Sequence, residues 1–151
     1  MNTPIEILEM SFPVRVDEYV LVTDSGGAGR FRGGLGASRT WTVLDHKARA
    51  SACLERTKSA PFGLSGGKPG LAAKIWTEAP NGDKGIAPGK GGFDVPNGGQ
   101  IHLRVPGSGG FGDPSERDIN AIKEDVVDGY ISEEAAETHY GVKNIRYLID
   151  K

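Results

Sequence analysis

Asp24-Ser-Gly-Gly-Ala-Gly-Arg-Phe-Arg-Gly-Gly-Leu-Gly36 decides how the rest of this 151-residue chain is read. Six glycines lie between Gly26 and Gly36 and fifteen between Gly63 and Gly112, whereas only Gly129 and Gly141 follow. In all there are 23, about 15% of the residues, roughly twice the ordinary share of ~7%. Residues without Cβ let backbones approach closely, but they contribute no side chain to an interior. The apolar share of 37% is correspondingly low. Adding the 9 prolines still leaves the chain below the ~25–30% Gly plus Pro of disordered low-complexity sequence. The expectation is a folded protein with much irregular backbone and a thin core that leans on a partner.

The opening block does not make a phosphate loop. A dinucleotide fingerprint begun at Gly27 and Gly29 needs glycine where Arg32 stands, and a strand-like segment follows instead of a helix. Gly67-Lys68 is followed by Pro69 and Gly89-Lys90 by Gly91, so neither completes a Walker sequence. The remaining reading is structural, with Arg30 and Arg32 held between glycines and suited to ion pairs or to carboxylate and phosphate contacts. The second block, Pro61-Phe-Gly-Leu-Ser-Gly-Gly-Lys-Pro-Gly70, adds Lys68 to these candidate interface or anion contacts. Its Gly63, Ser65 and Gly67 match a nucleophile elbow formally, but Pro61 and Pro69 deny it the strand before and the helix after. The third block, Val105-Pro-Gly-Ser-Gly-Gly-Phe-Gly-Asp-Pro114, favours extended, polyproline-like backbone that could stack closely, with Phe111 and Phe93 as anchors.

Outside the blocks, short segments read as strands, some from strand-forming residues and others from the two-residue alternation of half-buried strands. They are Tyr19–Thr23, Ser38–Leu44, Ala48–Leu54, Lys74–Thr77 and Gln100–Val105. Asp45-His46-Lys47 predicts an antiparallel hairpin between the second and third. Near the C-terminus the period lengthens. Asp118 is placed to cap a helix carrying Ile119, Ile122 and Val126 and stopped by Gly129; Ser132 caps a second, ended by Gly141. Residues 113–137 carry a net −7, read either as a solvated helix face or as an acidic docking surface. The fold class expected is mainly β, with short antiparallel strands, glycine-rich polyproline-like segments and a short C-terminal helical pair. The expected domains are a glycine-rich β domain over 1–112 and an acidic helical tail over 113–151, packed on it or on a partner.

Charge and chemistry exclude several functions. Eighteen Lys and Arg against 20 Asp and Glu give −2, without the basic surplus of a nucleic-acid binder. A lone Cys53 excludes an internal disulfide framework. His46, His102 and His139 share no metal-ligand spacing, although one could complete a site on another chain. No acid–base pair stands out, so no catalytic, cofactor-binding or metal residue is assigned. Met1–Met10 lacks a basic stretch followed by an apolar one, and no run spans a membrane, so a soluble, cytoplasmic protein is expected.

Taken in order, Asn2-Thr-Pro-Ile-Glu-Ile-Leu-Glu9, the three glycine blocks, Asp125-Val-Val-Asp-Gly-Tyr-Ile-Ser132 and Tyr140-Gly-Val142 resemble the C-terminal part of the hydantoinase B / 5-oxoprolinase family. Members usually run to several hundred residues. Met1 directly before the first motif suggests a separately encoded piece, similar to the small gamma subunit of acetophenone carboxylase. The resemblance implies a partnership with a hydantoinase B-like large subunit and hydantoinase A-like subunits. Those partners bind ATP and a divalent metal, and ATP phosphorylates an amide, lactam or enol oxygen before hydrolysis or carboxylation. No such residue can be carried onto this chain, which is expected to be non-catalytic alone. The readings left open are a subunit of an ATP-dependent carboxylase, the same role in a hydantoinase- or 5-oxoprolinase-type amidohydrolase, and a stand-alone anion-binding module.

Overall fold

A computed structural model describes residues 3–149; Asn2, which opens the first motif, lies outside them. The chain divides into two compact units. The first comprises Met1–Val20, Ser38–Thr57 and Ala73–Val105, the second Leu21–Ala37, Lys58–Ala72 and Pro106–Lys151. The first two glycine blocks therefore group with the C-terminal helices, and the compact units do not part at residue 112. The fold is mainly β, with antiparallel strands and a few short helices, as expected.

In the first unit, helix α1 (Ile5–Ser11) precedes seven strands: β1 (Val14–Leu21), β2 (Ala37–Val43), β3 (Ala48–Cys53), β4 (Lys74–Glu78), β5 (Lys84–Ile86), β6 (Lys90–Val95) and β7 (Gln100–Arg104). Five of them form one sheet in the order β1-β2-β7-β4-β5, while β3 and β6 form a separate two-stranded ribbon. The hairpin expected at Asp45-His46-Lys47 is absent. Both edges of β2 are occupied, by β1 and by β7, so no edge remains for β3 to join. Asp45 turns the chain away with φ +57°, and β3 pairs instead with β6, Ala48 opposite Val95 and Cys53 opposite Lys90. The first strand also begins earlier than its apolar run, at Val14, and ends at Leu21. It is an edge strand whose Val14 and Val16 are half-buried while Tyr19, Val20 and Leu21 stay exposed.

The interior of this unit is thin. Val43 and Val95 are fully buried and Ile75 nearly so, with Ala73 and Ala87 beside them in the buried set. Trp41, Ile101, Leu103 and Ile75 of the five-stranded sheet, with Ala50, Ala52 and Phe93 of the ribbon, line an apolar cavity of about 340 Å³.

The second unit holds the helices α2 (Ile119–Val127), α3 (Glu133–Tyr140) and α4 (Ile145–Ile149), preceded by a single 3-10 turn at Pro114–Glu116. The caps are those the sequence predicts. Asp118 accepts from the Asn120 N–H, Ser132 accepts from the Ala135 N–H, and Gly141 closes α3 with φ +72°. Ile122, Ile131, Ala135, Ala136, Tyr140 and Ile145 form the core with Ala28 of the first glycine block. Among the described residues no helix is long and apolar enough to cross a membrane.

Candidate functional site

The glycine blocks meet in the second unit as a bundle. Gly110 N–H donates to the Lys68 carbonyl (2.9 Å), Lys68 N–H to the Ala28 carbonyl (2.7 Å) and Gly27 N–H to the Ser108 carbonyl (2.8 Å). Each of the three segments is thus bonded to both others, an arrangement a flat sheet cannot make, because there an outer strand meets one neighbour only. Fully buried Ser25 ties the two ends of the first block, its hydroxyl donating to the Val22 carbonyl and accepting from the Gly36 N–H. After Gly36 the chain enters strand β2, not a helix. Several glycine N–H groups of the blocks are bonded within the bundle, Gly33 to Gly27 and Gly107 to Leu71 among them.

Arg32, one of the candidate contacts, leaves this bundle to meet a carboxylate 93 positions away. Its Nε and Nη2 donate to both oxygens of Asp125, at 3.0 and 3.1 Å. Arg117 Nη2 donates to the same carboxylate at 2.7 Å, and its Nη1 to the Arg30 carbonyl at 3.2 Å. The three side chains are only 15%, 9% and 11% exposed, so this is an interior triad of two cations around one anion. Tyr130 and Tyr140 flank it, their ring centres 5.3 and 6.0 Å from the Arg32 and Arg117 guanidinium carbons. Neither Asp125 nor Arg117 stands out in the sequence as a partner for the glycine block. The available signal was an acid on the apolar stripe: Asp125 sits three residues after Ile122, on the face that Ile122 and Val126 bury.

Arg30 and Lys68, the other two candidates, stay at the surface. The Arg30 guanidinium lies 5.6 Å from the Phe31 ring centre and 3.8 Å from Glu116. Lys68 lines a pocket of about 280 Å³ with Asp24, His139 and Tyr140 over an apolar floor that includes Ala28, Ile131 and Ala135. Burial pushes the Tyr140 phenol up from its ordinary value. Asp24, whose carboxylate accepts from the Ser132 N–H, supplies the one acid of the pocket. A primary ammonium, an imidazole and a phenol over an apolar floor can hold a small carboxylate or phosphate. Ser65 sits in an exposed turn with φ +50° and no helix behind it. Among the described residues no three His, Cys, Asp or Glu side chains gather as a metal site.

In the first unit, His102 of β7 stacks on Trp76, ring centres 4.9 Å apart, and its Nδ1 lies 3.1 Å from the Thr40 hydroxyl. Burial lowers its pKa from the ordinary 6.5, overriding the raising pull of Glu78, 3.9 Å from Nε2, and of the more distant Glu18 and Asp17, while Lys84 adds to the lowering. The native state therefore binds fewer protons than the unfolded chain in this region. The stability this neutral ring contributes is complete above about pH 6.5 and is lost as pH falls through its lower, native value. His102→Gln should flatten that part of the profile, read as urea midpoints between about pH 7 and 5. An unchanged slope would refute the assignment.

Comparison with known proteins identifies this architecture. The family model described as Hydantoinase B/oxoprolinase matches residues 1–114. The chain belongs to the hydantoinase B/oxoprolinase family. It is 40% identical over 146 residues to an uncharacterised protein of Methanocaldococcus jannaschii, covering 97% of this chain and 26% of that one. It is 33% identical over 147 residues to caprolactamase subunit beta of Pseudomonas jessenii, covering 94% and 25%. Among solved structures, ATP-dependent caprolactamase from the same organism superposes with a TM-score of 0.79 at 28% identity, over 95% of this chain and 25% of that one. Acetone carboxylase shares the fold, with a TM-score of 0.72 at 20% identity over 93% and 23%. The chain thus spans about a quarter of the length of each of these relatives.

Proposed function

We propose that this chain is a quarter-length portion of the hydantoinase B-like component of an ATP-dependent complex that opens cyclic amides. It acts there as a non-catalytic piece that completes the component. The observation that carries this reading is the 33% identity to caprolactamase subunit beta across 94% of the chain. The partners are the rest of a hydantoinase B-like component and hydantoinase A-like ATP-binding chains. ATP and its divalent metal belong to those partners. Arg30 is an interface contact, and Lys68 an anion contact in the pocket it lines.

A second reading keeps the same place in a carboxylase of the acetophenone type, converting acetophenone, bicarbonate and ATP to benzoylacetate. The fold shared with acetone carboxylase favours it. The complex purified from its host separates the two. ATP hydrolysis stimulated by caprolactam, hydantoin or 5-oxoproline without bicarbonate is the expected result. Hydrolysis that requires both a ketone and bicarbonate would replace the first reading with the second, and no stimulation by either would overturn both.

A further inference from the structure

Large apolar residues in the glycine bundle cannot point inward, because its interior admits only backbone. Phe31, Leu64 and Phe111 stand one on each segment, each close to glycines: Gly29 and Gly33, Gly63 and Gly66, Gly110 and Gly112. Phe31 and Phe111 exchange both backbone hydrogen bonds, each at 2.9 Å. Leu64 receives the Gly112 N–H at 3.0 Å and donates its own N–H to Gly110 at 2.9 Å, bridging Phe111 in the parallel sense. Bridged residues project to the same side of their strands. The phenyl rings accordingly lie 6.4 Å apart, and the three side chains form one row that is 60%, 56% and 50% exposed. Phe111, read from the sequence as an anchor, thus faces outward.

A row of aromatic and aliphatic side chains on locked backbone, with the Arg30–Glu116 pair at its margin, has the anatomy of an interface hot spot. Little conformational freedom remains to be lost when it is covered. With residues 3–149 in place, no segment of this chain covers it. In relatives 33–40% identical across nearly all of this sequence, three quarters more of the polypeptide is available to do so. We propose that Phe31, Leu64 and Phe111 form the docking surface for the other three quarters of a hydantoinase B-family component, the part those relatives carry outside the matched quarter. This rests on the functional reading above.

The test uses the tagged full chain expressed in its own host and purified under native conditions. Its companions are identified by mass, and a photo-crosslinking residue is placed at position 64 or, as control, at position 86. Ile86 is the control because it is 92% exposed on β5, in the other compact unit. The expected result is a crosslink to a hydantoinase B-family sequence from position 64 but not from 86. Its retention should fall at least tenfold in a Phe31→Ser, Leu64→Ser, Phe111→Ser variant with an unaltered melt, and stay unchanged in Ile86→Ser. If the triple variant misfolds, the crosslink alone decides. Retention by a folded triple variant, or crosslinking only from position 86, overturns the docking surface while leaving the functional reading intact. A wild-type chain that retains no such sequence overturns both. A crosslink from position 64 to a second copy overturns the proposal in favour of self-association.

Discussion

Asp125→Ala is expected to destabilise the protein by about 3–5 kcal/mol, the range for removing one partner of a buried ion pair. Two guanidinium groups, on Arg32 and Arg117, lie against this single carboxylate with little solvent around them. Deleting it leaves both cations desolvated and facing each other. Arg32→Ala should cost less, because it leaves Arg117 and Asp125 as a neutral pair. Asp125→Asn should fall between, keeping an acceptor but losing the charge. The ordering separates an electrostatic keystone from a mere packing defect, in which the arginine, the larger side chain, would matter most. Since domains are stable by only about 5–15 kcal/mol in total, Asp125→Ala could abolish folding. Urea midpoints for the three variants provide the measurement. A loss below about 1 kcal/mol for Asp125→Ala, or a larger loss for Arg32→Ala, would show that the triad does not hold the helices to the glycine block.

How much of this was legible in the sequence depends on how local each signal is. Asp118, Ser132, Gly129 and Gly141 act within one helical turn of themselves, and the helices they bound were readable from those residues alone. The strands β2, β3, β4 and β7 were readable for the same reason, since alternation is a property of each segment. Their pairing was not. Whether Ala48–Cys53 folds back on β2 depends on whether an edge of β2 is free, and that is decided by β1 and by β7, far away in the sequence. Strand β6 was missed because Gly91 and Gly92 are poor strand formers, and α1 because none of its residues is buried. At the site, the sequence picks out Arg30, Arg32 and Lys68 but not what each one meets. The partner of Arg32 sits on a helix that composition alone leaves as either a solvated face or an acidic docking surface. The carboxylate that matters is distinguished only by lying on the wrong face for a solvated acid.

Gly107→Ala should be comparable in damage to the loss of the Asp125 carboxylate, although it adds only one carbon. A Cβ built on Gly107 would lie 1.8 Å from the Ser25 carbonyl oxygen and 2.4 Å from its carbon. Neither is the end of a flexible side chain that could swing aside. That carbonyl also accepts from the Leu71 N–H, so moving it breaks a bond that joins the first and second segments. Fully buried Ser25 would have to shift with it, and its hydroxyl closes the ends of the first block. Overpacking usually costs about 1–3 kcal/mol where neighbours can adjust; with backbone on every side the cost here should reach or exceed ~3 kcal/mol. Gly34→Ala provides the contrast within the same block. The nearest atom to its Cβ is the Ser108 hydroxyl at 3.7 Å, ordinary contact, so this substitution should leave stability unchanged or raise it by about 0.4–1 kcal/mol through a less flexible unfolded chain. Thermal melts of both variants decide the matter. If the two behave alike, the abundance of glycine reflects flexibility, and the close approach of the three segments is not what requires it. If Gly107→Ala alone collapses, the requirement is steric and acts on backbone. The same requirement that empties the bundle of side chains then places Phe31, Leu64 and Phe111 on its outside.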